Sequence, residues 1–171
     1  MSASEVGGAE FPFWSFSVEL YERPGVAPAC LALQDRFGCD VNLLLFALWA
    51  GRCGAAVGPE EFARLDAAVA PWRSRVVEPI RALRRLLKSE GLGATPGLAE
   101  ACRQALLKAE LEGERAAQEL LARSLALRAP ALPTDSESSI AARNVAVYLG
   151  WVGAAPDAHP LAGVMLAGLS N

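Results

Sequence analysis

Two groups of residues carry side chains and spacings that could do chemistry. The first is Gln34, Asp35, Asp40 and Asn42, four polar groups packed around a glycine just ahead of the most apolar run of the chain, "FGCDVNLLLFALWAG". Carboxylates and amides gathered at a turn can form the floor of a polar pocket or a docking point; they can equally cap the ends of two helices. The second is the basic run "RALRRLLK", with Arg81, Arg84 and Arg85, set against Glu110 and Glu114 further along. The two glutamates stand four apart, so a helix presents them on one face. Paired carboxylates serve general acid–base catalysis or metal binding, and an arginine row captures anions or phosphate. The same two faces can instead simply pair with one another as salt bridges between neighbouring helices, each worth about 0–1 kcal/mol if exposed.

Helices must position these groups. Alternating β-branched stretches are missing, and alanine, leucine, arginine and glutamate dominate, so the fold class expected is all-α: about six to eight helices around a buried central helix at about 41–50. Pro12 opens a first helix that "RPG" ends at Arg23–Gly25, and a second runs from Val26 to Phe37 with Gly38 as a left-handed cap. Asp40 then falls at the N-cap of the third helix, with Cys39 and Leu44 at the positions of a hydrophobic staple. That explains Asp40 structurally. Asn42 and Gln34 have no such explanation. From Val41 to Ala50 the helix is apolar on all sides, which marks a rod enclosed by neighbours.

Pro59, with Glu60 and Glu61 behind it, starts a fourth helix, and Pro71 and Pro79 predict breaks that divide Pro59–Glu90 into two or three pieces. The last piece shows an apolar stripe (Val76, Ile80, Leu83, Leu87) opposite Arg81, Arg84, Arg85 and Lys88. The longest helix is expected from about Leu98 to Leu127. Leu98, Cys102, Leu106, Ala109, Leu120 and Leu121 should face the core there, with Glu110, Glu114 and Arg115 on the polar side. A Pro/Ser-rich linker at about 128–139 precedes a C-terminal helical pair, from Ser136 to about Trp151 and from Ala158 to Leu169. Residues 1–10 read as a flexible tail and 11–171 as a single helical domain.

Composition narrows the functions. A chain of 171 residues with 53% apolar and 20% charged side chains is globular and can bury roughly 70% of its unfolded surface. The net charge of −3 gives no general attraction to nucleic acid, and acids near the arginine row oppose it locally, so no nucleic-acid partner is expected. The longest apolar run, Leu43 to Gly51, is far short of the roughly 20 residues of a membrane span, and Pro156, Asp157, His159 and Pro160 interrupt the apolar C-terminal stretch. No membrane insertion is expected, no secretory signal is visible at the start, and the chain reads as cytoplasmic.

Cys30, Cys39, Cys53 and Cys102 lie far apart and His159 is the single histidine, so no metal site is expected; buried reduced thiols are the better reading. No phosphate-loop, dinucleotide-binding or nucleophile-elbow motif occurs, so no cofactor and no catalytic residue is assigned, and the balance leans away from an enzyme. Aromatic residues crowd the front of the chain; core packing accounts for most, while an exposed edge at Phe11 and Phe13 would suit a protein partner.

Four blocks, "FWSFSVELYERPGV", "CLALQDRFGCDVNLLLFALWAG", "EPIRALRRLLK" and "AELEGERAAQELL", resemble in their order a family of small bacterial conserved-hypothetical proteins, a domain of unknown function, over about residues 11 to 122. The resemblance implies a bacterial, helical protein and supplies no catalytic residues. The function expected first is a non-enzymatic accessory or adaptor protein with a protein partner; the alternative is a small-molecule (anionic ligand) binding protein, or an enzyme of unknown reaction, with a polar pocket near Gln34, Asp40 and Asn42 assisted by the arginine row.

Overall fold

The computed structural model describes residues 12–89, 93, 95–125, 136–154 and 158–169. Among them are eight α-helices and no strand: α1 (Pro12–Tyr21), α2 (Val26–Phe37), α3 (Val41–Arg52), α4 (Pro59–Trp72), α5 (Glu78–Ser89), α6 (Pro96–Leu125), α7 (Glu137–Trp151) and α8 (Ala158–Leu169). The fold is all-α, as the composition predicts. Residues 1–11 and 126–135, which include Phe11 and most of the expected linker, lie outside the described residues.

The turn between α2 and α3 forms as its residue types require. Gly38 takes φ 68°, which an L side chain resists, and its N–H bonds the carbonyls of Gln34 and Leu33. Asp40 Oδ1 then accepts from the backbone N–H of Asn42 at 2.8 Å and Leu43 at 3.2 Å, closing the N-terminus of α3. Leu43 to Leu48 and Ala50 are buried, and α3 touches α1, α2, α4, α6 and α7. It is the hub.

Helix α7 lies along α3 so closely that a Cβ on Gly51 would sit 2.3 Å from the Cα of Ala141. Only glycine allows that crossing. Asn144, fully buried on α7, donates from Nδ2 to the carbonyls of Ala47 (3.1 Å) and Ala55 (2.9 Å), and its Oδ1 accepts from Val57 N–H (2.9 Å). One amide thus fastens the α3–α4 connection to the core and satisfies backbone groups that would otherwise be stranded. Phe13 is wholly buried, stacking on Trp49 at 4.8 Å and meeting Phe46 edge-on at 5.8 Å, so it offers no exposed aromatic edge.

Three expectations need correction. First, the stretch after Pro59 divides into three segments as expected, but Pro71 and Pro79 do not interrupt it: α4 continues into α5 through a π-helical segment, Arg73–Val77, in which Glu78 N–H reaches the carbonyl of Arg73. The wide turn stands just ahead of Pro79, where a regular turn would drive the ring against a carbonyl four residues back.

Second, the inward face of α6 is not the apolar one. Leu121 is buried and Leu106 half-buried, but Cys102, Ala109 and Leu120 are exposed and Leu98 is 69% exposed. The buried face is Glu110, Gly113, Ala117, Gln118 and Leu121. Small residues sit at the contact: a Cβ on Gly113 would stand 3.2 Å from a methyl carbon of Val77 in the π segment, a tight fit, and Trp72 Nε1 donates to the Gly113 carbonyl at 2.8 Å. The polar groups flanking these small residues are carried inward with them. Of the polar side as expected, only Arg115 faces out. On α5 the apolar stripe is likewise only partly covered, with Leu83 52% exposed.

Third, the cysteines divide. Cys30 and Cys39 are buried free thiols, whereas Cys53, which ends α3, and Cys102, on the outer side of α6, are free and exposed.

Candidate functional site

The inward polar face of α6 floors a cavity of about 1030 Å³. Helix α1 contributes Trp14, Ser17 and Tyr21 to its wall, the α2–α3 turn contributes Gln34, Asp40 and Asn42, and the α4–α5 rod contributes Asp66, Arg73, Arg81 and Arg84. The volume is at the upper end of ordinary ligand sites.

Both groups singled out in the sequence meet here. Asn42 Nδ2 donates to Glu114 Oε2 at 2.5 Å, and Asn42 Oδ1 accepts from Gln118 Nε2 at 3.0 Å. Arg81 donates through Nε to Glu110 Oε1 at 2.9 Å and through Nη2 to Glu114 Oε1. Arg84 adds two contacts to Glu110, at 2.5 and 3.3 Å. Asp40, besides capping α3, binds Arg73 through Oδ2 at 2.6 Å, and Arg73 reaches Asp66 at 2.8 Å. The hydroxyl of Tyr148 accepts the Asp40 N–H at 2.8 Å. Arg85 lines the rim and is exposed. Asp35 is exposed and does not line the cavity; it separates from the group it was placed with.

The two glutamates are alike in sequence and opposite in environment. Burial favours the neutral form of Glu110, but the hydrogen bonds from Arg84 and Arg81 outweigh it and hold its pKa below the ordinary value. Burial dominates at Glu114: the Asn42 amide and Arg81 oppose it, Asp40 and Glu110 reinforce it, and the pKa rises. Tyr21, raised chiefly by burial, also feels the charges of Glu114 and Arg81.

Burial pushes the Cys30 thiol up to about 12 and the Cys39 thiol up to about 11, toward the protonated form that is the poorer nucleophile.

Among the described residues, two that line the cavity carry a buried side-chain oxygen without a hydrogen-bond partner: Ser17 Oγ, on a residue 3% exposed, and Gln118 Oε1, on a residue 2% exposed. Ser17, Gln118, Arg73 and Asp66 carried no sequence signal that was read as a site. For Gln118 such a signal existed, because Glu110, Glu114 and Gln118 repeat every four residues. For Arg73 it did not, since its position depends on the π turn.

A family model described as "Protein of unknown function (DUF2390)" matches residues 12–121. The chain belongs to this family. The part shared with DUF2390 runs from α1 to near the end of α6, so it includes every charged residue of the network just described, while Tyr148 lies outside it. No curated protein and no solved structure matches the chain. No helix among the described residues is long and apolar enough to cross a membrane.

Proposed function

We propose that this protein binds a small organic molecule in the cavity over α6, in the bacterial cytoplasm. The observation that carries this reading is a concavity large enough for a ligand, two of whose lining residues, Ser17 and Gln118, carry a buried side-chain oxygen without a partner. Leaving a buried polar atom unpaired costs about 1–3 kcal/mol, and a packed core removes such atoms unless something else bonds them. Asn42, the residue capping left unexplained, has a role here: it bridges Glu114 and Gln118 and orients both. The arginines do not favour an anionic ligand, because Arg73, Arg81 and Arg84 are each already engaged by carboxylates.

The test is native mass spectrometry of the protein purified without denaturation. A bound small molecule, lost on unfolding and absent from Asn42→Leu, supports the proposal. An unliganded parent that also shows no binding across a metabolite panel contradicts it.

The exposed leucines favour a second reading, an adaptor for another protein. Leu83 and Leu86 on α5, with Leu98 on α6, are exposed and put apolar area on the outside of the helical pair. If that surface is the functional one, Leu83→Asp with Leu98→Asp abolishes partner capture, and Asn42→Leu does not.

A further inference from the structure

The chemistry of the cavity narrows its ligand, provided that it is a binding site as proposed above. Among the groups in its ion-pair network, three guanidinium groups (Arg73, Arg81, Arg84) hold four carboxylates (Asp40, Asp66, Glu110, Glu114), which leaves a negative charge over. That surplus is felt most at Glu114. Glu110 is gripped by both Arg81 and Arg84, whereas Glu114 shares Arg81 and takes its other hydrogen bond from a neutral amide.

One helical turn on, Gln118 Oε1 is an acceptor with nothing to accept, since the Nε2 of the same amide is already committed to Asn42. An amide oxygen can only accept, so what completes it is an N–H or O–H donor. Acceptor and carboxylate stand four residues apart on one face, roughly 5–6 Å between Cβ atoms, close enough for one small donor group to reach both. Trp14 and Tyr21 of α1 line the same cavity, and aromatic rings suit an apolar body bearing a positive charge.

We propose that the Glu114–Gln118 end of the cavity is a subsite for an organic cation: a primary ammonium or guanidinium group carried on an apolar or aromatic body. Its N–H groups bond Gln118 Oε1 and the Glu114 carboxylate, and its charge balances the network. The surplus carboxylate selects the cation over a neutral alcohol, and the amide oxygen adds the requirement for a hydrogen-bond donor.

Three probes with the same ring separate the possibilities: 2-phenylethylammonium, 2-phenylethanol and phenylacetate, titrated at millimolar concentration while the side-chain amide signals of Asn42 and Gln118 are followed by NMR. The ammonium should shift both signals saturably and bind at least about tenfold more tightly than the alcohol, with phenylacetate inert. Glu114→Gln should remove that preference. Gln118→Met, which keeps the carboxylate, should weaken the ammonium and the alcohol alike and leave the preference for the ammonium in place.

Equal or tighter binding of the alcohol or the phenylacetate overturns the cation assignment and leaves the cavity reading standing. Ammonium binding indifferent to both variants, or no binding by any of the three, also overturns it. The mass-spectrometric test above decides the broader proposal separately.

Discussion

The α3–α7 pair and the α5–α6 pair are built on opposite principles. Between α3 and α7 the contact is apolar and tight, a glycine stands against an alanine backbone, and the one buried amide, Asn144, makes three hydrogen bonds to backbone. Between α5 and α6 three ion pairs cross the contact, the leucines Leu83 and Leu98 face out, and further along α6 the buried amide of Gln118, bonded to Asn42 of α3, is half satisfied. Proteins keep polar groups consistent with the fold everywhere except where something other than folding requires them. The first pair accounts for stability. The second carries features that stability does not ask for.

The contrast can be broken by substitution, and the largest effect belongs to the first pair. Asn144→Ala strands the Val57 N–H and two carbonyls, so urea unfolding should show a loss of about 3 kcal/mol or more. A loss below about 1 kcal/mol would mean that the α3–α4 connection is held by other means.

Glu110→Gln comes next. It removes a carboxylate, on a residue 7% exposed, from two arginines and should cost about 1–3 kcal/mol at pH 7. Because the folded-state pKa of Glu110 is depressed, its contribution is present above the ordinary glutamate pKa of about 4.3 and is lost as pH falls below it. The cost of the substitution should therefore shrink at pH 3.

Glu114→Gln should behave the other way. A raised folded-state pKa means that ionising Glu114 weakens the fold as pH rises from about 4.3 through the folded value. Relative to the parent, this variant should gain ground between pH 4 and pH 7, with a net effect at neutral pH under about 1 kcal/mol. Parallel pH profiles for the two variants would erase the distinction between the glutamates. The smallest effect is expected on the outer side, where Leu98→Gln should stay within about 0.5 kcal/mol.

Much of this was legible in the sequence. Gly38 and Asp40 announced their turn by residue type alone, because a left-handed cap followed by a carboxylate N-cap has few alternatives. The all-round apolarity of α3 announced a hub. The α6 face was misjudged because periodicity assigns the apolar side inward, whereas here the small residues Gly113 and Ala117 sit at the contact, and Glu110 and Glu114 turn inward with them. The sequence suggests that the arginine row could assist the polar turn, but nothing local joins residue 42 to residue 114; the docking of α3 on α6 does that. Arg73 escaped notice because proline chemistry predicts a break where a π turn keeps the rod continuous.

The central claim is that the Gln118 amide serves a ligand rather than the fold, and the unfolding free energy of Gln118→Met tests it most directly. The variant forfeits one hydrogen bond to Asn42, about 1 kcal/mol, and removes an unpaired buried carbonyl worth about as much in the other direction. Stability within about 1 kcal/mol of the parent, or above it, is the predicted result. A loss of about 3 kcal/mol would show that the amide is part of the structural frame, and the case for a ligand at that position would fall.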